Sequence, residues 1–589
     1  MTNPLVLAAT YHKMSVPSSA DELPSFLTRE LGTIERGIKF ATSYVGTVFN
    51  VLDFNADPRG ARDATTALQS VLNTVASGDA IYLPPNVHFT ISDALTCRTA
   101  NVTVFGAGRS SLIEQITADT PAFSATSLAN LTFRDFTVYG PGIWSSGWTG
   151  NEGHDERGIY ATHCTGLRIE RVWARNFGHS GIALRGTCSG TILDCAVEGT
   201  NLLGTALPAS SNFQNGVYIT YGPSNEGWGD IRILSPDVSE CGQGILIERG
   251  TAAPTGAVLI ATPYLHDIPG QHGVYCQAGK VTVTGGLCED IELDAVKVQT
   301  GTSATATIES VVISGVNAID CRGNAFEVAG LDDTYAIRNV TIDGCSARGC
   351  DRILSIVGLV DGVTATVRGG DTEGHGVYIA DSSALVPKNV TVTVDADTID
   401  RHGVYVSSDG ATNIRVFPNL TDVGQETSNT WDGVNVEGDT TGVSIHNPRL
   451  VNATGSMRYG IFQSDAVGRT KVYGSAEISG VGTDEVRGVG QLAWGPVEMV
   501  RASSATTTAE YSDGTLLIDA TGGARTVNLL PAAYVVDRVY TVKKVDAGVN
   551  AVTVDPSGAE TIDGAATYAL ALQWASVTIR CDGTAWFIE

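Results

Sequence analysis

One phrase recurs through the middle of this chain and limits what it can fold into: a small residue, usually glycine, followed by alternating apolar residues. It appears as Gly158-Ile-Tyr, Gly181-Ile-Ala-Leu, Gly216-Val-Tyr-Ile, Gly244-Ile-Leu-Ile and Gly273-Val-Tyr-Cys. It continues as Ala295-Val-Lys-Val, Ala325-Phe-Glu-Val and, more weakly, Arg352-Ile-Leu-Ser-Ile. Gly376-Val-Tyr-Ile, Gly403-Val-Tyr-Val, Gly433-Val-Asn-Val and Gly460-Ile-Phe-Gln complete the set. Successive anchors stand 22 to 35 residues apart, about 27 on average. A period in this range means a solenoid, a propeller or an array. Between anchors, runs such as Ile231-Arg-Ile-Leu, Val281-Thr-Val-Thr and Val390-Thr-Val-Thr-Val alternate with period two, the strand period. No helical stretch separates them, and a propeller blade needs ~40–45 residues. Short strands in coils of this length predict a parallel β-helix.

Composition narrows the function classes. Of 589 residues, 43% are hydrophobic and the mean hydropathy is +0.06, enough apolar material for a packed core. Lys and Arg number 37 against 63 Asp and Glu, a net charge of −26. A body this acidic repels phosphate backbones, so nucleic acid is not an expected partner. No apolar run reaches 18 residues, so membrane insertion is not expected either. Met1 to Thr10 lacks the basic start of a secretory signal. The 11 cysteines are odd in number and scattered, which predicts reduced thiols in a protein made in a cytosol.

Upstream of the repeat, Phe49-Asn-Val-Leu-Asp-Phe-Asn-Ala-Asp-Pro-Arg-Gly leads into a helix with Asp63 as its expected N-cap. Ala67, Leu68, Val71, Leu72 and Val75 share one face of that helix. Gly78-Asp-Ala-Ile-Tyr-Leu-Pro-Pro-Asn-Val-His-Phe-Thr-Ile and Val102-Thr-Val-Phe-Gly follow as strands. This order resembles the N-terminal cap of the pectate-lyase-like β-helix superfamily, which includes many bacteriophage tailspikes. The resemblance covers residues 48–490. It implies an all-β chain built on a single-stranded right-handed parallel β-helix, with a short N-terminal helical adaptor (1–47) and a C-terminal β-sandwich (491–589). In the adaptor, Leu27, Leu31, Ile34, Ile38 and Ala41 form a seam of about two heptads. The seam suits either one amphipathic helix packed on its own domain or a short stem joining three chains. The stretch from Leu23 to Leu31 looks like N-terminal segments of phage tail proteins, which implies attachment to a phage tail or baseplate. After residue 490, Thr515-Leu-Leu-Ile-Asp, Thr526-Val-Asn-Leu-Leu, Val539-Tyr-Thr-Val-Lys and Ala575-Ser-Val-Thr-Ile alternate as strands, separated by turns such as Ser512-Asp-Gly. The ending Asp582-Gly-Thr-Ala-Trp-Phe-Ile resembles C-terminal modules of phage tail proteins. Expected tasks are capping, trimerisation or carbohydrate binding.

The repeat allows rows to be written across coils. Residues directly after each anchor, from Ile159 through Val274, Val296 and Phe326 to Ile461, are apolar and point inward. The next residues point outward: Tyr160, Ala183, Tyr218, Leu246, Tyr275, Lys297, Glu327, Ser355, Tyr378, Tyr405, Asn435 and Phe462. Half are Tyr or Phe, side chains whose rings pack on sugar faces; covered interface packing is the alternative. The residues before the anchors are polar and include His272, Asp294, Asn324, Asp351, His375, His402 and Asp432. Their plain reading is hydrogen bonding to the local backbone at a turn.

The two rows converge at His272, Tyr275, Asp294, Lys297 and Glu327, the densest titratable cluster on the face. Glycoside hydrolysis needs two carboxyl groups, one acid and one base or nucleophile. Asp294 and Glu327 are one coil and three residues apart, about 11 Å along the backbone, and side chains leaning together approach the inverting spacing. Lys297 would hold Glu327 ionised. The same cluster reads as a lyase site, with Tyr275 or His272 as base and Lys297 stabilising the enolate. It also reads as a surface ion pair. The net charge ranks hydrolysis above elimination. A second candidate region is loop-borne, with Trp144, Trp148 and Trp228 beside Glu152, Asp155, Glu156, Glu226 and Asp230. Gly106-Ala-Gly-Arg lacks a phosphate-loop context. Cys345 and Cys350 have no second pair for zinc. Asp395, Asp397 and Asp400 lack a calcium loop. No metal or cofactor is expected. Taken with the resemblance, the expectation is a homotrimeric tailspike-type depolymerase, made in the bacterial host and carried on the virion. It would endo-cleave a bacterial surface polysaccharide by hydrolysis. A lyase and a non-catalytic receptor-binding spike are the alternatives.

Overall fold

A computed structural model describes residues 46–589 apart from 143–154, 200–214, 251–253, 301–306, 427–429, 439–441, 454–456, 465–469, 475, 489–492, 495–498, 510–512 and 537. The N-terminal adaptor and its heptad seam lie outside the described residues, as do Trp144, Trp148 and Glu152. The described residues are all-β, 56% strand and 3% helix, and wind as a parallel β-solenoid of about 16 turns. The chain divides into two compact units, residues 1–204 with 228–232, and residues 205–227 with 233–589.

In the first unit, Thr65–Thr74 form helix α1, with Leu68, Val71 and Leu72 buried. Asp63 stands one residue before the capping position, which Ala64 occupies, yet its Oδ1 still accepts the Thr65 N–H at 2.8 Å. From α1, Gln69 pairs with both backbone groups of Thr96, its Oε1 accepting the amide at 2.8 Å and its Nε2 donating to the carbonyl at 3.0 Å. One side chain thus stands in for a neighbouring strand on Leu95–Cys97. That strand begins the sheet of anchor phrases, whose open edge would otherwise invite pairing with another chain. Phe123–Thr126, Arg157–Thr162 and Ser180–Arg185 continue the parallel ladder in this unit.

In the second unit, eleven parallel strands stack in sequence order from Asn215–Thr220 to Val481–Gly488. The inward row is in register: Val274 pairs with Val296, Val296 with Phe326, Phe326 with Leu354, and Leu354 with Val377. All five are fully buried. Why the anchor is small is visible at Gly244 and Gly376. A Cβ on Gly244 would lie 2.3 Å from the Gly273 carbonyl oxygen, and one on Gly376 would lie 2.5 Å from that of Gly403. Each anchor is pressed against the carbonyl of the next. Corners use residues that tolerate left-handed backbone. Asn389 and Asn413 have φ of 52° and 56°, and their amides form a ladder, Asn413 Nδ2 to Asn389 Oδ1 and Asn389 Nδ2 to Asp361 Oδ1, both 2.7 Å.

The C-terminal block holds two sheets, in which the Cys581-Asp-Gly turn makes a hairpin but most strands pair in parallel. Met499–Ser503, Asp513–Ile518 and Val539–Lys544 pair in parallel, as do Thr507–Thr508, Arg525–Asn528 and Val552–Asp555. Only Ser576–Cys581, Trp586–Ile588 and Tyr568–Leu570 join antiparallel. The block therefore coils again before it closes over Trp586, which is buried and stacks on Tyr540 at 5.6 Å. All eleven cysteines are buried, Cys345 and Cys350 among them. No helix among the described residues is long and apolar enough to cross a membrane.

Candidate functional site

In the second unit the outward row is also in register. Tyr275 pairs with Lys297, Lys297 with Glu327, Glu327 with Ser355, Ser355 with Tyr378, and Tyr378 with Tyr405. Strand alternation sends these side chains out while their neighbours fill the core.

The polar row is buried rather than exposed at the turn: His272, Asp294, Asn324, His375, His402 and Asp432 are at most 7% exposed. Four of these side chains satisfy the backbone of the next coil instead of their own. His272 Nδ1 lies 3.2 Å from the Asp294 amide, and Asp294 Oδ1 accepts the Asn324 amide at 2.8 Å. Further along, His375 Nδ1 accepts from His402 N at 3.3 Å, and His402 Nδ1 from Asp432 N at 2.9 Å. One member was misplaced in the sequence reading. Asn324 pairs with Arg352, not Asp351, because Ile353 takes the anchor position there.

The five residues expected to converge do so. Lys297 Nζ lies 3.3 Å from Asp294 Oδ2 and 2.5 Å from Glu327 Oε2. The same Asp294 oxygen is 3.1 Å from His272 Nδ1, while Oδ1 also accepts Asn324 Nδ2 at 2.9 Å. The His272 and Tyr275 rings are 4.9 Å apart. Reaching one nitrogen, the two carboxylate oxygens can be separated by no more than the two ion-pair lengths together, under about 6 Å.

Charge state follows from surroundings. Burial pushes the Glu327 carboxyl up, the Asp294 charge pushes it further, and Lys297 only partly offsets them, so it stays above its ordinary 4.5. Burial acts on Asp294 in the same sense, but His272, Lys297 and the Asn324 amide outweigh it and hold that carboxyl well below the usual range. Burial lowers His272, which stays neutral. It also works against the Lys297 ammonium, but the charges of Asp294 and Glu327 hold it above 10.5. Burial raises Tyr275, so its phenol stays protonated. Two carboxyls with affinities driven apart are what acid and base roles require.

The aromatic rows separate into different surroundings. Tyr378 and Tyr405 are half-buried with centroids 5.7 Å apart, and His375 and His402 stack beside them at 5.3 Å. Trp431 stands edge-on to His402 at 5.0 Å, and Tyr405 Oη donates to Glu437 Oε2 at 2.5 Å. Trp431, Glu437 and Arg352 were missed in the sequence; Trp431 adjoins Asp432 in the polar row, and that adjacency was the available signal. Tyr218 and Trp228 correct the expectation of exposed rings. They are 3% and 1% exposed, and the Tyr218 hydroxyl lies on Glu248. The Glu226 carboxylate accepts the Ser224 amide at 2.8 Å within its own loop. In the first unit, half-buried Tyr160 lies under the Arg157 guanidinium at 4.3 Å, and exposed Asp155 pairs with Arg157. Glu156 is buried and accepts the Gly178 amide at 2.7 Å, while Asp230 is exposed. Among the described residues no group of three or more His, Cys, Asp or Glu is placed to hold a metal ion.

No family model matches the chain, and no curated protein matches it. Solved structures do. A double mutant of the tailspike protein of E. coli bacteriophage HK620 aligns at 11% identity over 75% of this chain and 78% of that one, with a TM-score of 0.48. The pre-mature bacteriophage phi29 gene product 12 aligns at 14% identity over 84% and 73%, TM-score 0.44. ORF18 of Geobacillus virus E2 aligns at 14% identity over 66% of each chain, TM-score 0.37, so the chain spans just under two thirds of that protein.

Proposed function

We propose that this chain is a tailspike-type depolymerase that cleaves a bacterial surface polysaccharide by glycoside hydrolysis at Glu327 and Asp294. The observation that carries the proposal is the pair of carboxyls on one lysine, one raised and one lowered in proton affinity. Glu327, partly exposed, donates a proton to the glycosidic oxygen. Asp294, ionised and nearly covered, faces the positive charge that develops on the sugar ring as the bond breaks, and it orients Lys297 and His272; solvent water adds to the anomeric carbon and releases a proton that restores Glu327. Tyr378 and Tyr405 lie two and three rungs along the same row and hold the polymer beyond the cleavage point. In this reading Glu226 is a further glycan contact of the second unit, and Tyr160, Asp155 and Asp230 are glycan contacts of the first.

A second reading rests on neutral His272 beside Tyr275. A neutral imidazole can take the proton from the carbon bearing a uronate's carboxylate, with Lys297 neutralising the enolate as the glycosidic oxygen leaves the β-carbon and a double bond forms. Assembly as a homotrimer, attachment to a phage tail through residues 1–47 and residence on the virion are parts of the same proposal. Proteins of that kind, phage tailspikes, are among the structures compared above. Incubation with capsule or lipopolysaccharide polymers, followed by size-exclusion chromatography and ultraviolet absorbance, tests it. Shortened chains with new reducing ends and no unsaturated sugar establish hydrolysis. Unsaturated ends establish the lyase, and polymers of unchanged size leave only a receptor-binding spike.

A further inference from the structure

The polar row carries an unexpected cation one rung beyond the proposed catalytic pair. Arg352 pairs across the sheet with Asn324, which itself donates to Asp294. Its Nη1 is held at 3.2 Å by Asn324 Oδ1 and lies 3.4 Å from Asp351 Oδ2. The guanidinium rests over the Tyr378 ring, 4.6 Å from the centroid. A guanidinium stacked and tethered in this way has lost its freedom before a ligand arrives, which lowers the cost of forming a two-pronged bond to a carboxylate. Its side chain stays 24% exposed. On the outward row between Glu327 and Tyr378, Ser355 is covered at 1% exposure, so a ligand at this rung meets the guanidinium and not the serine. The next polar residue, His375, is uncharged, so it neither repels nor neutralises an anion there. Lys297 supplies a second cation two rungs back, about 10 Å away by strand spacing. Each cation has carboxyl partners, Asp294 and Glu327 for Lys297 and Asp351 for Arg352, so a ligand carboxylate competes with Asp351 for the guanidinium.

We infer that the rung beside Glu327 binds an acidic sugar, its carboxylate on Arg352, so that the substrate is a carboxylate-bearing glycan such as a uronate-containing capsule or exopolysaccharide. Tyr378 is the positioning residue that keeps the guanidinium flat. The inference rests on the proposed glycan-binding face but not on the reaction performed there. It also sets a placed guanidinium, 24% exposed, against the ranking drawn from net charge alone.

The test uses the whole protein and a panel of purified bacterial polysaccharides, half bearing uronate or pyruvate carboxylates and half neutral, with binding and chain length measured separately. The expected result is binding confined to acidic members, weakened at least tenfold when the polymer's carboxyls are reduced to alcohols. Arg352→Met should raise Kd or KM for the same polymer at least tenfold with kcat changed far less, and Arg352→Lys should recover part of the loss. Carboxyl reduction needs no variant, so a folding defect in Arg352→Met cannot mask the answer. Tightest binding to a neutral polymer, or indifference to carboxyl reduction, overturns the inference while leaving the depolymerase intact. Binding of an acidic polymer without shortening does the reverse, and no binding at all overturns both.

Discussion

Lys297 and Glu327 face each other across adjacent coils, ammonium to carboxylate at 2.5 Å, and Asp294 shares the same ammonium from the other side. Removing that charge leaves two carboxyls opposed at close range. For Lys297→Met the Glu327 carboxyl should climb further, since its remaining neighbours, burial and the Asp294 charge, both raise it. The alkaline limb of kcat/KM, where the proton donor is lost, should therefore move to higher pH by about a unit or more while the plateau falls. An unmoved limb with reduced activity would mean that Lys297 only supports the local fold.

Glu327→Gln should lower kcat on the cleaved polymer at least ~10²-fold, the usual size of general-acid catalysis, and should erase that alkaline limb. Asp294→Asn should cost as much, because it also loosens Lys297 and His272. Wild-type activity should fall as pH rises through the Glu327 value, above 4.5, while the Asp294 limb lies well below the ordinary carboxylate range. Full activity in both variants would transfer the chemistry away from this cluster.

His375 and His402 give the fold a pH dependence of their own. Burial pushes each down to about 3; the charges of Arg352 and Arg401 add to this for His375, and those of His375 and Arg458 for His402. Unfolded, both titrate near 6.5. Their contribution to stability is therefore present above 6.5 and is lost as pH falls toward 3, at up to about 1.4 kcal/mol per pH unit for each histidine. Denaturant titrations from pH 7 to 4 should show that slope. His375→Asn with His402→Asn, which keep an acceptor near each Nδ1 position, should flatten it by close to two protons. An unchanged slope would show that the two rings titrate normally in the folded protein.

The rows were legible in the sequence because period-two alternation and a small anchor fix both face and register, and Lys297, Glu327, Tyr378 and Tyr405 followed from them. Arg352 was not, because Ile353 replaces the small anchor and shifts the apparent phrase by one residue. The burial of His272 and Asp294 was hidden because their partners are backbone amides of the next coil, distant in sequence. Trp228 read as exposed because composition does not reveal which loop rings turn inward, and Tyr218 because strand alternation gives the outward face but not what covers it. In the C-terminal block, Ser512-Asp-Gly marks a turn but not which strand the chain meets afterwards. It meets a parallel one.

The anchor itself offers the most direct test of why the phrase recurs. Gly376→Ala would place a methyl carbon 2.5 Å from the Gly403 carbonyl oxygen and 2.9 Å from Ile399 Cδ1. The isoleucine can rotate, but the carbonyl belongs to the next rung and is fixed by its ladder. Adjacent coils must then part or the strand must twist, an overpacking cost of about 1–3 kcal/mol. Ala325 occupies the same position two coils earlier and is fully buried, so its rung has already made room for a methyl. Ala325→Gly should cost only about 0.5–1 kcal/mol, the backbone-entropy penalty of glycine with little loss of packing. Denaturant midpoints measured side by side should show the larger loss for the substitution that adds an atom. A smaller loss at Gly376 than at Ala325 would mean that turn flexibility, and not the approach of the next carbonyl, is what keeps glycine in the repeat.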